Sequence, residues 1–114
     1  SMSREAGAAA EERVAEFLRG LGWRILERNF FAKTGEIDII AQDGDTVVFV
    51  EVKARSSAAY GLAQEFVGWE KRRRIVKTAL VDIQRRSLDC PMRFDVVAVM
   101  KGAVEHIPDA FLEV

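Results

Sequence analysis

The chain predicts a mixed α/β domain, from three observations. Residues 4–20 are rich in alanine and glutamate, with apolar positions at helical spacing. Valine- and isoleucine-rich strands flank an Asp43-Gly44 turn, and a long basic amphipathic stretch from Trp69 to Ser87 precedes two more apolar strands. At 114 residues and 49% hydrophobic, the chain has room for one core and not for a second domain. Ser1-Met2, ahead of a Ser-Arg-Glu start, reads as an added tail, so the domain is taken as residues 3–114.

Each element has a local reason. The first helix stops where Gly20 and Gly22 bracket its end. Trp23 to Phe30 alternates as a first strand, and Thr34-Gly35 leads into a second at Glu36 to Ile40. Asp43-Gly44 turns the chain into a third strand, Thr46 to Ala54. Arg55 to Gly68 reads as a loop. The helix from Trp69 to Ser87 follows, then strands at Arg93 to Met100 and Ala103 to Ile107 across a Lys101-Gly102 turn. The order is αβββαββ.

Composition excludes several functions. One cysteine, Cys90, forms no intramolecular disulfide and no cysteine-cluster zinc site, and one histidine, His106, forms no multi-histidine site. No apolar run approaches the ~20 residues that span a bilayer, and no signal peptide is visible. A cytoplasmic protein with no membrane partner is expected. The net charge of −1 hides an asymmetry: Trp69 to Ser87 carries +5 and the rest −6. The basic segment is either a solvated helix face or a phosphate-binding surface beside an acidic site.

A turn at Asp43-Gly44 sets Gln42 opposite Asp45. One face of the hairpin then carries Ile37, Ile39, Ala41, Val48, Val50 and Val52; the other carries Glu36, Asp38, Ile40, Val47, Phe49, Glu51 and Lys53. In this register Glu36 opposes Glu51, with Asp38 diagonal to Glu51 at roughly 5–8 Å. Carboxylates so grouped repel one another unless a counter-charge joins them. Lys53 is one such charge. A divalent cation is another, and an all-oxygen donor set favours Mg²⁺ or Mn²⁺. Asp38, Glu51 and Lys53 interrupt apolar strands on one face and read together as a site; Glu36 alone reads as a solvent-facing residue.

Helix periodicity adds candidates. Gly7, Val14, Leu18 and Leu21 form the first helix's apolar stripe, with Glu11 inside it and Glu12, Arg13 and Glu16 on the wet side. Glu11 either reaches water at the helix start or projects into the acidic cluster. On the second helix Val76, Ala79, Leu80 and Ile83 make the core stripe. Arg73, Arg74, Lys77 and Arg85 lie on the far face, and Arg72 falls within the stripe, either snorkelling or meeting a phosphate.

The strings Gly35-Glu36-Ile37-Asp38-Ile39-Ile40, Val48-Phe49-Val50-Glu51-Val52-Lys53 and Arg93-Phe94-Asp95-Val96-Val97 resemble the bacterial YraN family. That family is similar to the PD-(D/E)xK, restriction-endonuclease-like nucleases and to archaeal Holliday junction resolvases. The resemblance runs from about Gly7 to Phe111, including Asp109-Ala110-Phe111, and implies a mixed central β-sheet flanked by helices. It implies Asp38 and Glu51 as metal ligands with the Val52 carbonyl, Lys53 as the catalytic lysine and Glu11 as the acid of the first helix. Lys71 matches a basic position of the second helix, and lysine stands at 53 where many members carry arginine. Gln64 is the candidate for a further site residue after the third strand.

The expected activity is Mg²⁺- or Mn²⁺-dependent hydrolysis of DNA phosphodiesters, branched or damaged DNA included. Arg55, Lys71, Arg73, Arg74 and Lys77 would track the backbone without reading bases. Two alternatives stand: a nucleic-acid-binding module of the same fold with little or no turnover, and an acidic face for a basic protein. Resolvase-like relatives suggest a homodimer, for which Phe30, Phe31 and Phe66 are contact candidates or core.

Overall fold

The computed structural model describes residues 4–55 and 67–111. Its elements are α1 (Arg4–Gly20), β1 (Arg24–Ala32), β2 (Gly35–Asp43), β3 (Thr46–Arg55), α2 (Trp69–Arg86), β4 (Met92–Met100) and β5 (Ala103–Ile107). The predicted order αβββαββ is observed, with strand boundaries displaced by no more than three residues. The strands form one sheet in the order β1-β2-β3-β4-β5; β3 and β4 are parallel and the other neighbours antiparallel. A parallel pair needs a crossover, and α2 supplies it.

One helix covers each face, so the sheet is buried on both sides. Beneath α1, Ala10, Val14, Ala15 and Leu18 pack on Ile39, Ala41, Val48, Val50, Val97 and Val99. Beneath α2, Ile75 and Ala79 pack on Ile40, Val47, Phe49 and Val96. Phe111 closes this second core by stacking on Phe94, whose other ring neighbour is Phe49. Phe30 is buried there, Phe31 is 69% exposed, and Phe66 lies outside the described residues.

Two expectations about the hairpin are corrected. Gln42 pairs with Val47 and not Asp45, because the turn residues are Gly44 and Asp45. Only Gly44 adopts positive φ, 61°, as suits a hairpin turn with glycine first; a turn on Asp43-Gly44 would also put Asp43 there. Ile37 and Ile39 share no face: Ile37 belongs to the core under α2 and Ile39 to the core under α1. Asn29, midway between the pairs Arg28–Ile39 and Phe30–Ile37, has φ 54°, and this left-handed residue breaks the alternation.

The α1 stripe holds at Val14 and Leu18, with Ala10 and Ala15 buried beside them, whereas that of α2 is rotated by about one residue. Leu21 is exposed, since the helix ends at Gly20 in a cap where Gly22 (φ 88°) lets Trp23 N–H reach the Leu18 carbonyl. On α2 the buried residues are Ile75, Thr78, Ala79 and Asp82, while Leu80 faces solvent. Thr78 is tied to the Thr34 hydroxyl, and Asp82 accepts from Arg85 and Arg86 Nε. Arg85 is therefore not on a free far face: it also pairs with Glu27 and lies 4.4 Å over the Phe30 ring. Arg72 folds back on the protein, donating from Nε to the Val67 carbonyl and lying over Phe111.

Candidate active site

The site arises where β2 leaves β3. Their ladder ends at Ile39–Val50, whereas β3 stays paired with β4 as far as Arg55–Met100, and β2 with β1 as far as Ala32–Gly35. Among the described residues, β3 thus has no strand partner on this edge from Glu51 onward. Asp38 fills the gap: Val52 N–H donates to its Oδ2 at 2.7 Å in place of a strand carbonyl. Continued one step, the observed register sets Asp38 opposite Glu51, and their carboxyls share a hydrogen bond. The expected opposition of Glu36 to Glu51 is thereby corrected.

Two lysines complete the centre. Glu51 is 4% exposed and receives Lys71 Nζ at 2.5 Å and Lys53 Nζ at 3.7 Å. Lys71, placed by sequence among backbone-binding residues, is thus a member of the acid–lysine centre, delivered by the first turn of α2. Gln64 lies outside the described residues. Burial, then the Glu51 charge, push the Asp38 pKa up to about 8, so Asp38 keeps its proton at neutral pH. Glu36 is also raised, by burial and by the charges of Glu11 and Glu51. Burial and the Lys71 charge lower Lys53; Lys71 itself is raised, because its bond to Glu51 and that carboxylate's charge outweigh burial.

Glu11 stands on the far side of a cleft of about 800 Å³ that it lines with Glu36, Asp38, Arg28 and Asn29. It is anchored at Oε1 by Arg28 Nε (2.8 Å) and Asn29 Nδ2 (3.1 Å), so it neither frays into water nor joins Asp38 directly. Arg28 and Asn29 were not singled out from sequence; the polar run Glu27-Arg28-Asn29 between Ile25-Leu26 and Phe30-Phe31 was the available signal. Among the described residues no three acids, histidines or cysteines gather closely enough to enclose a metal ion. The carboxylates that the hairpin groups, with Glu11 a candidate fourth, resolve into the Asp38–Glu51 pair, with Glu36 exposed as expected and Glu11 held apart by Arg28 and Asn29. Of the other basic candidates, Arg55 ends β3, while Arg73, Arg74 and Lys77 stand exposed on α2. Among the described residues no carboxylate lies within ion-pair distance of those three.

An α/β domain with a carboxylate pair and two lysines at a strand opening is thus defined by the coordinates. The chain belongs to Uncharacterised protein family UPF0102, which it matches over residues 10–99. It is 51% identical over 110 residues to the UPF0102 protein of Syntrophus aciditrophicus, covering 92% of this chain and 87% of that protein. With the UPF0102 protein of Persephonella marina it shares 42% identity over 106 residues, covering 92% and 91%. Among the described residues no helix is long and apolar enough to cross a membrane.

Proposed function

We propose that this chain is a cytoplasmic, metal-dependent endonuclease that hydrolyses phosphodiester bonds in DNA. The observation that carries this reading is the Asp38–Glu51 pair at the β2/β3 opening, with Lys53 and Lys71 on Glu51. The donor chemistry fits Mg²⁺ or Mn²⁺, which need only one or two carboxylates and keep several waters, so a three-acid cage is not required. Asp38 and Glu51 would hold the ion with the Val52 carbonyl, and the proton that Asp38 retains beside Glu51 marks surplus negative charge that a cation would relieve. When bound, the ion supplies a more acidic water and a counter-charge for the phosphoryl oxygens.

The chain's own groups do the rest. Lys53, its pKa lowered by burial and by Lys71, is suited to orient the attacking water and accept a proton from it. Lys71 stays charged and opposes the anionic charge that develops at phosphorus. Glu11, fixed by Arg28 and Asn29, orders water across the cleft. Arg55, Arg73, Arg74 and Lys77 attract the backbone irrespective of sequence.

A second reading, a nucleic-acid-binding module without turnover, draws on the ammonium of Lys71 against Glu51, which a cation has to displace. The deciding experiment is nicking of labelled duplex, single-stranded, flap and four-way-junction DNA with Mg²⁺ or Mn²⁺, with Glu51→Ala and Lys53→Ala beside the wild type. Metal-dependent cleavage lost in both variants supports the nuclease. Binding without cleavage in all three proteins supports the module.

A further inference from the structure

We propose that a second cleft, between α1 and the Lys101-Gly102 turn, is a groove that binds a phosphate of the nucleic-acid backbone and leads the strand toward Asp38 and Glu51. This rests on the nuclease reading. The cleft measures about 290 Å³. Arg13, Arg55 and Lys101 line it and, among the described residues, no acid does, whereas the neighbouring cleft holds Glu11, Glu36 and Asp38. Ala10 and Ala54 line both clefts, so the cationic groove adjoins the acidic centre.

Three features suit this groove to a phosphodiester. It lies at the carboxyl ends of the parallel strands β3 and β4, where Arg55 pairs with Met100, and open α/β sheets take ligands at that edge. Alanines of α1 form its floor, so a sugar-phosphate backbone can approach the helix closely. Arg13 is held in place by donating from Nε to the Gly102 carbonyl at 3.1 Å, which orients its guanidinium without neutralising it. Among the described residues no carboxylate lies within ion-pair distance of Arg13 or Lys101. Arg13, which helix periodicity puts on the wet side with Glu12 and Glu16, is thereby assigned a partner of opposite charge outside the chain.

The test is fluorescence anisotropy of a short labelled oligonucleotide, single-stranded and duplex, over a salt series in EDTA, so that cleavage plays no part. Arg13→Gln and Lys101→Gln are compared with the wild type and with Arg19→Gln, a surface arginine beside Glu12. Losing one phosphate contact should weaken binding about five- to eightfold at about 0.1 M salt and take roughly 0.7–0.9 off the slope of log affinity against log salt. Lys101→Gln removes no side-chain partner among the described residues, so its deficit is not a folding defect; thermal melts check both variants. Wild-type binding matched by both variants overturns the groove and leaves the nuclease reading standing. Absence of wild-type binding to either oligonucleotide overturns both.

Discussion

Replacing Asp38 by asparagine tests the proton that Asp38 holds at the centre of the site. In the folded chain the Asp38 pKa is about 8, against an ordinary value of 3.8. Between those values the folded state holds a proton that the unfolded chain has released. This group's contribution to stability is therefore full below about pH 4, falls as pH rises, and levels off above about pH 8. At about 1.4 kcal/mol per pH unit, the interval from about pH 5 to 8 is worth at most about 4 kcal/mol. The cleft is open to water, which reduces this to roughly 2–3 kcal/mol. Asp38→Asn keeps an acceptor for Val52 N–H and has no proton to lose. Its stability relative to wild type, from urea unfolding, should rise by that amount between about pH 5 and 8. Saturating Mn²⁺ should recover stability in the wild type at about pH 8 and do little for the variant, since the cation takes the place of the proton. Parallel pH profiles for the two proteins would refute the retained Asp38 proton.

Two further perturbations probe the scaffold behind the site. Asn29→Ala removes the bond to Glu11 and puts a β-carbon residue less suited to φ 54° in the left-handed region; about 1–2 kcal/mol of stability should be lost, and Asn29→Gly should recover the backbone part only. Asp95, fully buried, accepts from His106 Nε2 (2.8 Å), Asp109 N–H (2.9 Å) and Arg93 Nε (3.0 Å), so Asp95→Ala should lose about 3–4 kcal/mol by leaving these donors unpaired. Burial opposes the Asp95 charge, but bonds from His106, Asp109 and Arg93 hold its pKa below 3.8. The stabilisation is thus present above about pH 4 and lost in stronger acid, and the urea midpoints of wild type and variant should converge there.

Element order was legible in the sequence because hydrophobic period and turn residues are local properties: the valine-rich β3 and the 3.6-residue repeat of α1 mark their elements without knowledge of partners. The residues of the centre were legible for a related reason, since Asp38, Glu51 and Lys53 interrupt strands that are otherwise apolar. What they touch was not. The face of α2 is set by Thr78 and Asp82, whose burial depends on partners supplied by Thr34, Arg85 and Arg86, and no hydropathy pattern contains that information. Only the tertiary structure decided that Asp38, and not Glu36, meets Glu51, because a turn shifted by one residue moves every pair by two. It alone decided that Lys71 reaches Glu51 from another layer, and that Arg13 and Lys101 share a cleft. Such contacts join residues far apart in the chain, and their distances follow from how strands splay and helices pack.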